Sequence, residues 1–410
     1  MLQPNPQSPA TGVAITAAGA VTASGTTVAA LLDDVATGRW TFTDKKIPLV
    51  ANPLPAVPGR PDDGDQAGEV FAAHIDDLLD LEEVVEARVL RAYSRDSRLL
   101  VYAMRTTGAR VTADPDRVGV VLGTLHAGRN EYLAIHNATG RVNPVWGPQS
   151  GYNAPAAQLS IHLAARGPNL TLSSGATAGL DAVVAGAAQV RAGVCDVVVA
   201  GGMDTLSNAI TDPTGRPETV RGPYQPGPGT LPQGEAAAVL VLRPVGADSD
   251  GERAHLLGAG QATAAFSSGG AGSHTVEELT TAVAEALRAA LDRSGRAAGE
   301  VGFAVTASTG DRTVEAAELA ALRTVLGPAL PVCNVTGATG RTGGADGAVA
   351  VVVAVEALAA GLLPPVTGSA GPMGHTPSLP GGPLAVCLAV DSGGNVTVVL
   401  LSGTGVRNSW

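Results

Sequence analysis

The stretch of sequence that decides the fold spans residues 167–207 and reads GPNLTLSSGATAGLDAVVAGAAQVRAGVCDVVVAGGMDTLS. Its pattern predicts a short strand, a tight turn, a helix and a buried strand, at 170–172, 173–175, 177–191 and 196–200, the last ending at Gly201–Gly202. A strand that turns sharply into a helix aims one side chain at the helix N-terminus. Free N–H groups and the helix dipole favour negative charge there.

The residue at the point of this turn is Ala176. Acyl-transfer enzymes place a nucleophile at such a position, because the helix N-terminus stabilises a thiolate or an oxyanion. Alanine has no nucleophilic atom and no proton to give. The junction around Ala176, residues 172–178, is called the elbow below; its sequence predicts the geometry of acyl transfer without the reacting group.

Composition narrows the possible classes of protein. The chain has 410 residues, of which 45% are hydrophobic and only 3% aromatic, so Ala, Val and Leu must fill a large core. The net charge is −11 and no run rich in Lys and Arg occurs, which argues against nucleic-acid binding. This acidic balance is typical of a cytoplasmic protein.

Three cysteines, Cys195, Cys333 and Cys387, lie far apart in apolar runs. Their odd number and their surroundings predict buried free thiols, with neither a disulfide framework nor a metal site. The first residues lack the basic region of a signal peptide, so we expect them to lead into a strand.

One apolar run, residues 344–366, is long enough to suggest a membrane span. Asp346 and Glu356 lie within it, and Pro364–Pro365 end it. We therefore expect a helix buried between layers of the fold, and no association with a membrane.

Strands and helices alternate along most of the chain. Further strands are predicted at 13–21, 118–122, 235–243, 256–263, 301–307, 332–335, 384–391 and 395–401. Further helices are predicted at 27–37, 75–93, 128–139, 153–165, 277–291, 314–326 and 348–360, and loops at 48–66 and 142–150. Such alternation predicts an α/β fold with a mostly parallel sheet covered on both faces.

The second part of the chain repeats the first. LLGAGQAT at 256–263 is similar in type and position to ITAAGAVT at 15–22. The interpretation is a flexible tail at 1–12 and two related halves at 13–248 and 249–410. Two such halves predict five layers of helix and sheet around a shared centre.

Four motifs occur in an order that resembles one known family. They are VNP at 142–144, NAPAAQLSIHLAARGPNLTL at 153–172, DVVVAGGMD at 196–204 and GEAAAVLVL at 234–242. With them, residues 13–401 resemble the beta-ketoacyl synthases of the thiolase superfamily. The resemblance implies a thiolase-like fold in which two duplicated βαβαβαββ halves form a five-layered αβαβα architecture.

Active members of that family carry a cysteine and two histidines, which the resemblance maps onto three positions of this chain. The elbow cysteine is replaced by Ala176. The stretch VTASTGD at 305–311 puts Ser308 at the first histidine position, and ATGRTGGADGAV at 338–349 puts Arg341 at the second. All three are vestigial positions, so no catalytic residue is expected, and the late Gly/Phe-rich loop is reduced to the residues 391–395.

A scaffold without its catalytic side chains is similar to the chain length factors of type II polyketide synthases. That resemblance implies a heterodimer with an active ketosynthase alpha subunit, which serves an acyl carrier protein. The phosphopantetheine of the carrier would enter through the partner subunit, and this chain would bind no cofactor directly. Its role would be to shape the acyl-chain tunnel and so control polyketide chain length.

The same resemblance points to interface and tunnel residues. The strand before the elbow, Asn169, Leu170, Thr171 and Leu172, would lie at the subunit interface. The segment GRNEYLAIHNATG at 128–140 would close the tunnel, and helical spacing puts Arg129, Tyr132 and His136 on one stripe. Tyr132 is the expected stopper, because a rigid aromatic ring fills volume. Alternatively, the stripe only packs against the partner.

Other functions stay open at this point. The chain could be an active beta-ketoacyl synthase or a malonyl decarboxylase with non-standard residues, or a partner subunit without influence on the product. A serine hydrolase would need Ser173 or Ser174 beside a histidine such as His126 or His162. For Arg341 the sequence favours an ion pair with Glu235 or Asp346 over a contact with a partner.

Overall fold

The computed structural model describes residues 12–39, 41–46, 69–75, 81, 85–136, 138, 140–206, 220–247, 251–265, 274–361 and 384–404. The tail predicted at 1–12, except its last residue, and the loop predicted at 48–66 lie outside the described residues. Of the helix predicted at 75–93, residues 76–80 and 82–84 also lie outside the described residues; the described remainder is helical only at Ala87–Leu90, so a continuous helix over this range is wrong.

Twelve strands are described in the chain. They are β1 Val13–Thr22, β2 Thr43–Lys46, β3 Glu69–Ala72, β4 Val118–Gly123, β5 Asn169–Leu172, β6 Val197–Asp204, β7 Ala236–Pro244, β8 Ala254–Thr263, β9 Val301–Thr306, β10 Val332–Asn334, β11 Leu384–Val390 and β12 Asn395–Gly403.

Eleven α-helices accompany them in the described ranges. They are α1 Val28–Thr37, α2 Ala87–Leu90, α3 Arg95–Thr106, α4 Arg129–His136, α5 Trp146–Gln149, α6 Ala154–His162, α7 Ala178–Arg191, α8 Val276–Ser294, α9 Arg312–Leu326, α10 Thr336–Thr339 and α11 Asp346–Ala360.

The two halves have the same strand order, which supports the predicted duplication. The first half is ordered β5–β4–β6–β7–β1 and the second β10–β9–β11–β12–β8. In each half four strands point the same way, and β7 or β12 runs opposite to them. The first residues of β1 pair with β8 at Val13, Ala14 and Ile15, so both halves join into one ten-stranded sheet.

Three hydrophobic clusters hold the five layers of helix and sheet together. One lies between the first half-sheet and the outer helices α3 and α6. The central cluster holds α7 and α11 between the two half-sheets. The third packs α8 and α9 on the outside of the second half-sheet. The predicted αβαβα architecture is therefore observed.

Local signals fix several helix ends. The Thr27 hydroxyl accepts the N–H of Ala30, and Gly38 ends the same helix, α1, in the left-handed conformation. Thr275 and Glu278 form a reciprocal capping box at the start of α8. The Asp311 carboxylate caps α9 by accepting the N–H of Thr313.

The apolar run is a core helix, as predicted. The window Gly343–Ala360 has a mean hydropathy of 1.6, which passes a test for a membrane span on length and composition alone. However, 78% of this window is buried inside the protein. Strands of both half-sheets surround α11, which explains why its sequence is apolar on every side.

Several boundaries predicted from the sequence are wrong. The strand predicted to end at Gly201–Gly202 continues to Asp204 as β6. The predicted loop at 142–150 contains α5, and neither α3 nor the antiparallel pair β2–β3 was predicted. Gly201 and Gly202 pair with β4 and β7 as strand residues, and both must be glycine because a Cβ at either would overlap a backbone carbonyl, of Ala238 and Gly344 respectively.

Candidate functional site

The elbow has the predicted strand–turn–helix form. β5 ends at Leu172, a 3₁₀ turn covers Gly175–Thr177, and α7 follows at once. Gly175 has a φ of +75°, which a side chain would strain. Ala176 is 4% exposed and is one of the residues that line the cavity described next.

A cavity of about 320 Å³ lies in front of the elbow. Its wall includes Ala176 and Arg341 together with four carboxylates, Asp204, Asp311, Asp346 and Asp391. The structure thus brings two of the three vestigial positions to one cavity. Because the described lining residues include one arginine and four acids, this part of the cavity is acidic in character.

Ser308, the third vestigial position, lies just behind this wall. It follows β9 and is fully buried, while its neighbours Thr309 and Gly310 line the cavity. Its carbonyl accepts the Thr336 hydroxyl at 2.8 Å, and its Oγ accepts the N–H of Gly310 at 3.4 Å. These contacts make Ser308 a packing residue of the loop.

Arg341 belongs to the turn between α10 and α11. Its backbone pairs with the segment before β7, since its N–H donates to Pro232 and its carbonyl accepts from Gly234. Its charge acts on Asp346, where it opposes the rise in pKa caused by burial. Glu235, the other suggested partner, binds Arg95, whose Nε lies 2.9 Å from Oε2, and its pairing with Arg341 stays a prediction.

Asp391 is the feature of this site that sequence reasoning missed. It follows β11, and its Oδ2 accepts the backbone N–H of Ala176 at 2.9 Å. The sequence showed only a shortened loop at 391–395. An acid ahead of two glycines was a signal for a tight turn, but not for a contact with the elbow.

Asp204 ties the two halves together beside the cavity. It ends β6, is 2% exposed and accepts the Thr124 hydroxyl at 2.7 Å and the His126 N–H at 2.7 Å. Its other oxygen accepts the N–H of Gly344 at 2.6 Å, just before α11. The motif DVVVAGGMD thus ends in a residue that fixes the geometry of the site.

The described side chains give no serine nucleophile with a histidine base. The Ser174 hydroxyl donates to Asp181 Oδ2, and Ser173 is exposed. His126 lines the cavity, but burial and Arg129 lower its pKa to about 4, so it is neutral near pH 7. These contacts count against the serine-hydrolase hypothesis.

The three thiols are free and buried, as predicted. Burial raises the pKa of Cys195 to about 11 and that of Cys333 to about 12. It also raises the pKa of Cys387. Thiols of this kind are unreactive near neutral pH. Across the described ranges, no group of three or more His, Cys, Asp or Glu residues is placed to hold a metal ion.

The predicted interface strand lies at an end of the sheet. β5 pairs with β4 on one side and is the last strand of its half. Leu170 is 37% exposed, and Ile161 on α6, a helix that packs against β5, is also exposed. The assignment of β5 to an interface stays a prediction.

The predicted stripe lies on α4. Tyr132 is 57% exposed, and its ring stacks on that of His136 with centroids 6.1 Å apart. Arg129, one turn before Tyr132, is half-buried. The three residues occur on one short helix, and their role in a tunnel stays a prediction.

Two carboxyl groups of the cavity should make stability depend on pH. Burial raises the pKa of Asp204 and of Asp346 to about 7. The folded protein therefore binds more protons than the unfolded chain between the ordinary carboxyl pKa and about 7. In that window each group lowers the free energy of unfolding by about 1.4 kcal/mol per pH unit as the pH rises.

We expect a higher melting temperature at pH ~5.5 than at pH ~8, and a smaller difference in Asp346→Asn. Asparagine keeps an oxygen for the Thr342 N–H, which Asp346 accepts at 2.8 Å, but does not titrate. Differential scanning calorimetry across pH provides the measurement. Asp292→Asn, at an exposed site on α8, is the control. Equal pH dependence in wild type and Asp346→Asn would contradict the assignment.

Two halves of identical strand order, with an elbow at the start of a helix beside a cavity, are the features that define the thiolase-like class of fold. Family profiles agree with this class: the profile "Beta-ketoacyl synthase, N-terminal domain" matches residues 10–211, and "Beta-ketoacyl synthase, C-terminal domain" matches residues 259–369. The chain therefore belongs to the beta-ketoacyl synthase family. The half boundaries at 248 and 249 stay a prediction.

Individual relatives and structures are more distant. A polyketide beta-ketoacyl synthase 1 of Streptomyces virginiae is 28% identical over 281 residues, 61% of this chain and 65% of the relative. The chain thus matches less than two thirds of that relative's length.

Two solved structures share the fold. The ishigamide ketosynthase/chain length factor superposes with a TM-score of 0.78 at 18% identity, covering 97% of this chain and 100% of the other. A type II polyketide synthase acyl carrier protein in complex with its ketosynthase matches with a TM-score of 0.74 at 16% identity, covering 98% and 100%.

Proposed function

We propose that this chain is a non-catalytic subunit that pairs with an active ketosynthase and shapes the acyl-chain tunnel in polyketide synthesis. The observation that carries the proposal is the elbow: Ala176 stands at its point, and a carboxylate binds its N–H. A site with no nucleophile and a filled N–H cannot form an acyl-enzyme.

The other vestigial positions support the same conclusion. Ser308 is bonded to Gly310 in its own loop and to Thr336 on α10, and Arg341 places a permanent cation where a proton-transferring group would be needed. An arginine cannot act as a base near neutral pH. Decarboxylation at this site is therefore not expected either.

The surface around the elbow supports a partner subunit. β5 is an edge strand with an exposed leucine, and exposed edges pair readily with another chain. Pairing with the same strand of a related subunit would continue the sheet across a two-fold axis. The similar solved structures include a ketosynthase/chain length factor.

The proposal also includes an acyl carrier protein and its phosphopantetheine arm. The working pair would receive its substrate from an acyl carrier protein, and one of the similar solved structures is a complex of such a carrier protein with its own ketosynthase. The phosphopantetheine arm would enter the partner's active site, and this chain would hold no cofactor. We place the complex in the cytoplasm.

The test is turnover with and without a partner. The purified chain, incubated with acyl- and malonyl-carrier protein, is expected to give no ketoacyl product, and Ala176→Cys is expected to give none either. A co-expressed ketosynthase with its cysteine and two histidines should co-purify with the chain and restore product. Mass spectrometry of the carrier-bound products provides the measurement. Product from the isolated chain would refute the proposal.

A further inference from the structure

The turn between β11 and β12 holds a carboxylate in a fixed position. The Asp391 N–H donates to the Asn395 carbonyl at 2.8 Å, and the Gly394 N–H donates back to Asp391 at 2.9 Å. Within the turn, Asp391 Oδ1 accepts the N–H of Gly393 at 2.7 Å. Three hydrogen bonds therefore orient this one residue.

A buried histidine packs against the same turn. His274, just before α8, is 7% exposed, and a Cβ on Gly394 would overlap its ring. Gly394 has a φ of +93°, which only glycine adopts without strain. The turn therefore packs against His274, and a movement of the turn away from the elbow would disturb this contact.

The elbow, in turn, is shaped to receive the carboxylate. Asp391 Oδ2 lies 2.9 Å from the N atom of Ala176. A Cβ on Gly175 would overlap the carboxylate, so the missing side chain of this glycine makes the room for it. The acid occupies the point at which the N-terminus of the elbow helix attracts negative charge.

We infer that Asp391 is a built-in anion that fills the anion-stabilising position of the elbow, so that this site is inactivated twice over. The first cause is the absent nucleophile at 176. The second is independent of it: a thiolate or an acyl oxyanion placed here would meet a resident carboxylate instead of a free N–H. The inference rests on the proposed non-catalytic function and gives it a second physical cause.

The other charged groups of the cavity do not cancel the negative charge that Asp391 places at the elbow. Three more carboxylates, Asp204, Asp311 and Asp346, line the same cavity with Arg341 as the cation, and His126 is neutral near pH 7. Asp391 is the acid with a hydrogen bond to the elbow N–H. Its removal is therefore expected to change the electrostatics of residue 176 more than removal of another acid.

The pKa of a cysteine introduced at position 176 measures the electrostatic effect of Asp391 directly. Ala176 lines the cavity, so the extra sulfur atom has room. We compare Ala176→Cys with the double variants Ala176→Cys/Asp391→Asn and Ala176→Cys/Asp311→Asn. Asparagine keeps an acceptor for Gly393 and removes the charge. Asp311 is the matched control, because its carboxylate lines the same cavity and caps α9.

The measurements are the thiolate absorbance as a function of pH and the rate of alkylation by iodoacetamide. In Ala176→Cys the thiol pKa should be at or above ~8.5, the ordinary value for cysteine. The Asp391→Asn double variant should lower it by about one unit and speed alkylation at neutral pH about threefold, because the thiolate fraction rises while the nucleophilicity of the thiolate falls. The Asp311→Asn double variant should change both much less. The wild-type chain supplies the background of the three buried native thiols.

A low thiol pKa in Ala176→Cys alone, or equal values in the two double variants, would overturn the inference. Thermal melting confirms that each variant is folded, and Asp391→Ser replaces Asp391→Asn if that variant is not. The readout needs neither a partner nor turnover. Failure of the inference is therefore distinct from failure of the proposed function, which the turnover assay decides.

Discussion

Replacing Leu170 by aspartate is expected to break the proposed complex with the ketosynthase. Leu170 lies on the edge strand β5 and is 37% exposed in this chain. In a continuous intersubunit sheet the new carboxylate would be buried without a cation, which costs several kcal/mol. Since each 1.4 kcal/mol is a factor of ten, we expect affinity to fall by about 100-fold or more.

Co-purification and light scattering of the co-expressed pair measure this effect. Val276→Asp is the matched control: Val276 is 41% exposed at the first position of α8, where an acid suits the helix N-terminus. The control should still assemble. We expect the proposed interface to bury more than about 2,000 Å², as the interfaces of obligate pairs do. A folded Leu170→Asp chain that binds the ketosynthase as tightly as wild type would refute the use of β5 as the interface.

The second large effect concerns the length of the product. Tyr132 is 57% exposed on α4, and its ring stacks on His136 at an interplanar angle of 14°. If this pair closes the tunnel, Tyr132→Ala removes a rigid ring and opens space for further extension units. We expect the reconstituted pair to make products longer by at least one malonyl-derived unit, and His136→Ala to act in the same direction.

The products are sized by mass spectrometry. Tyr152→Ala removes a similar aromatic ring, 50% exposed in the turn before α6, and should leave product length unchanged. The yield of the complex must be equal in all variants, so that a change in length is not a change in assembly. Unchanged length for both Tyr132→Ala and His136→Ala would leave the stripe as a packing surface and end the proposal.

The order of elements was largely predictable because it depends on local patterns. α11 lies in a long run that is apolar except for Asp346 and Glu356, α1 is bounded by Thr27 and Gly38, and the elbow is marked by a turn between a strand and a helix. Each of these signals lies within a few residues of the element it predicts. Helix α3 was not predicted, because its composition is polar on average. Its apolar face is buried only by packing against β1 and β7, which local sequence does not reveal.

Glycines in β6 were misread for a related reason. A local rule takes Gly201–Gly202 as the end of a strand, whereas in the fold these residues allow the backbone of β7 and the start of α11 to approach closely. The join between the half-sheets was also invisible, because it consists of three residue pairs between strands more than two hundred residues apart. Local sequence carries no signal for such a contact.

By itself the sequence predicted the alternation of strands and helices and put Ala176, which has no nucleophilic atom, at the turn before a helix, since both follow from residue type and spacing. Only the tertiary structure decided what the elbow contains in its place. Asp391 and Ala176 are separated by 215 residues, and no periodicity relates them. Their contact exists because the two halves fold back to back, which brings the turn after β11 onto the N-terminus of α7.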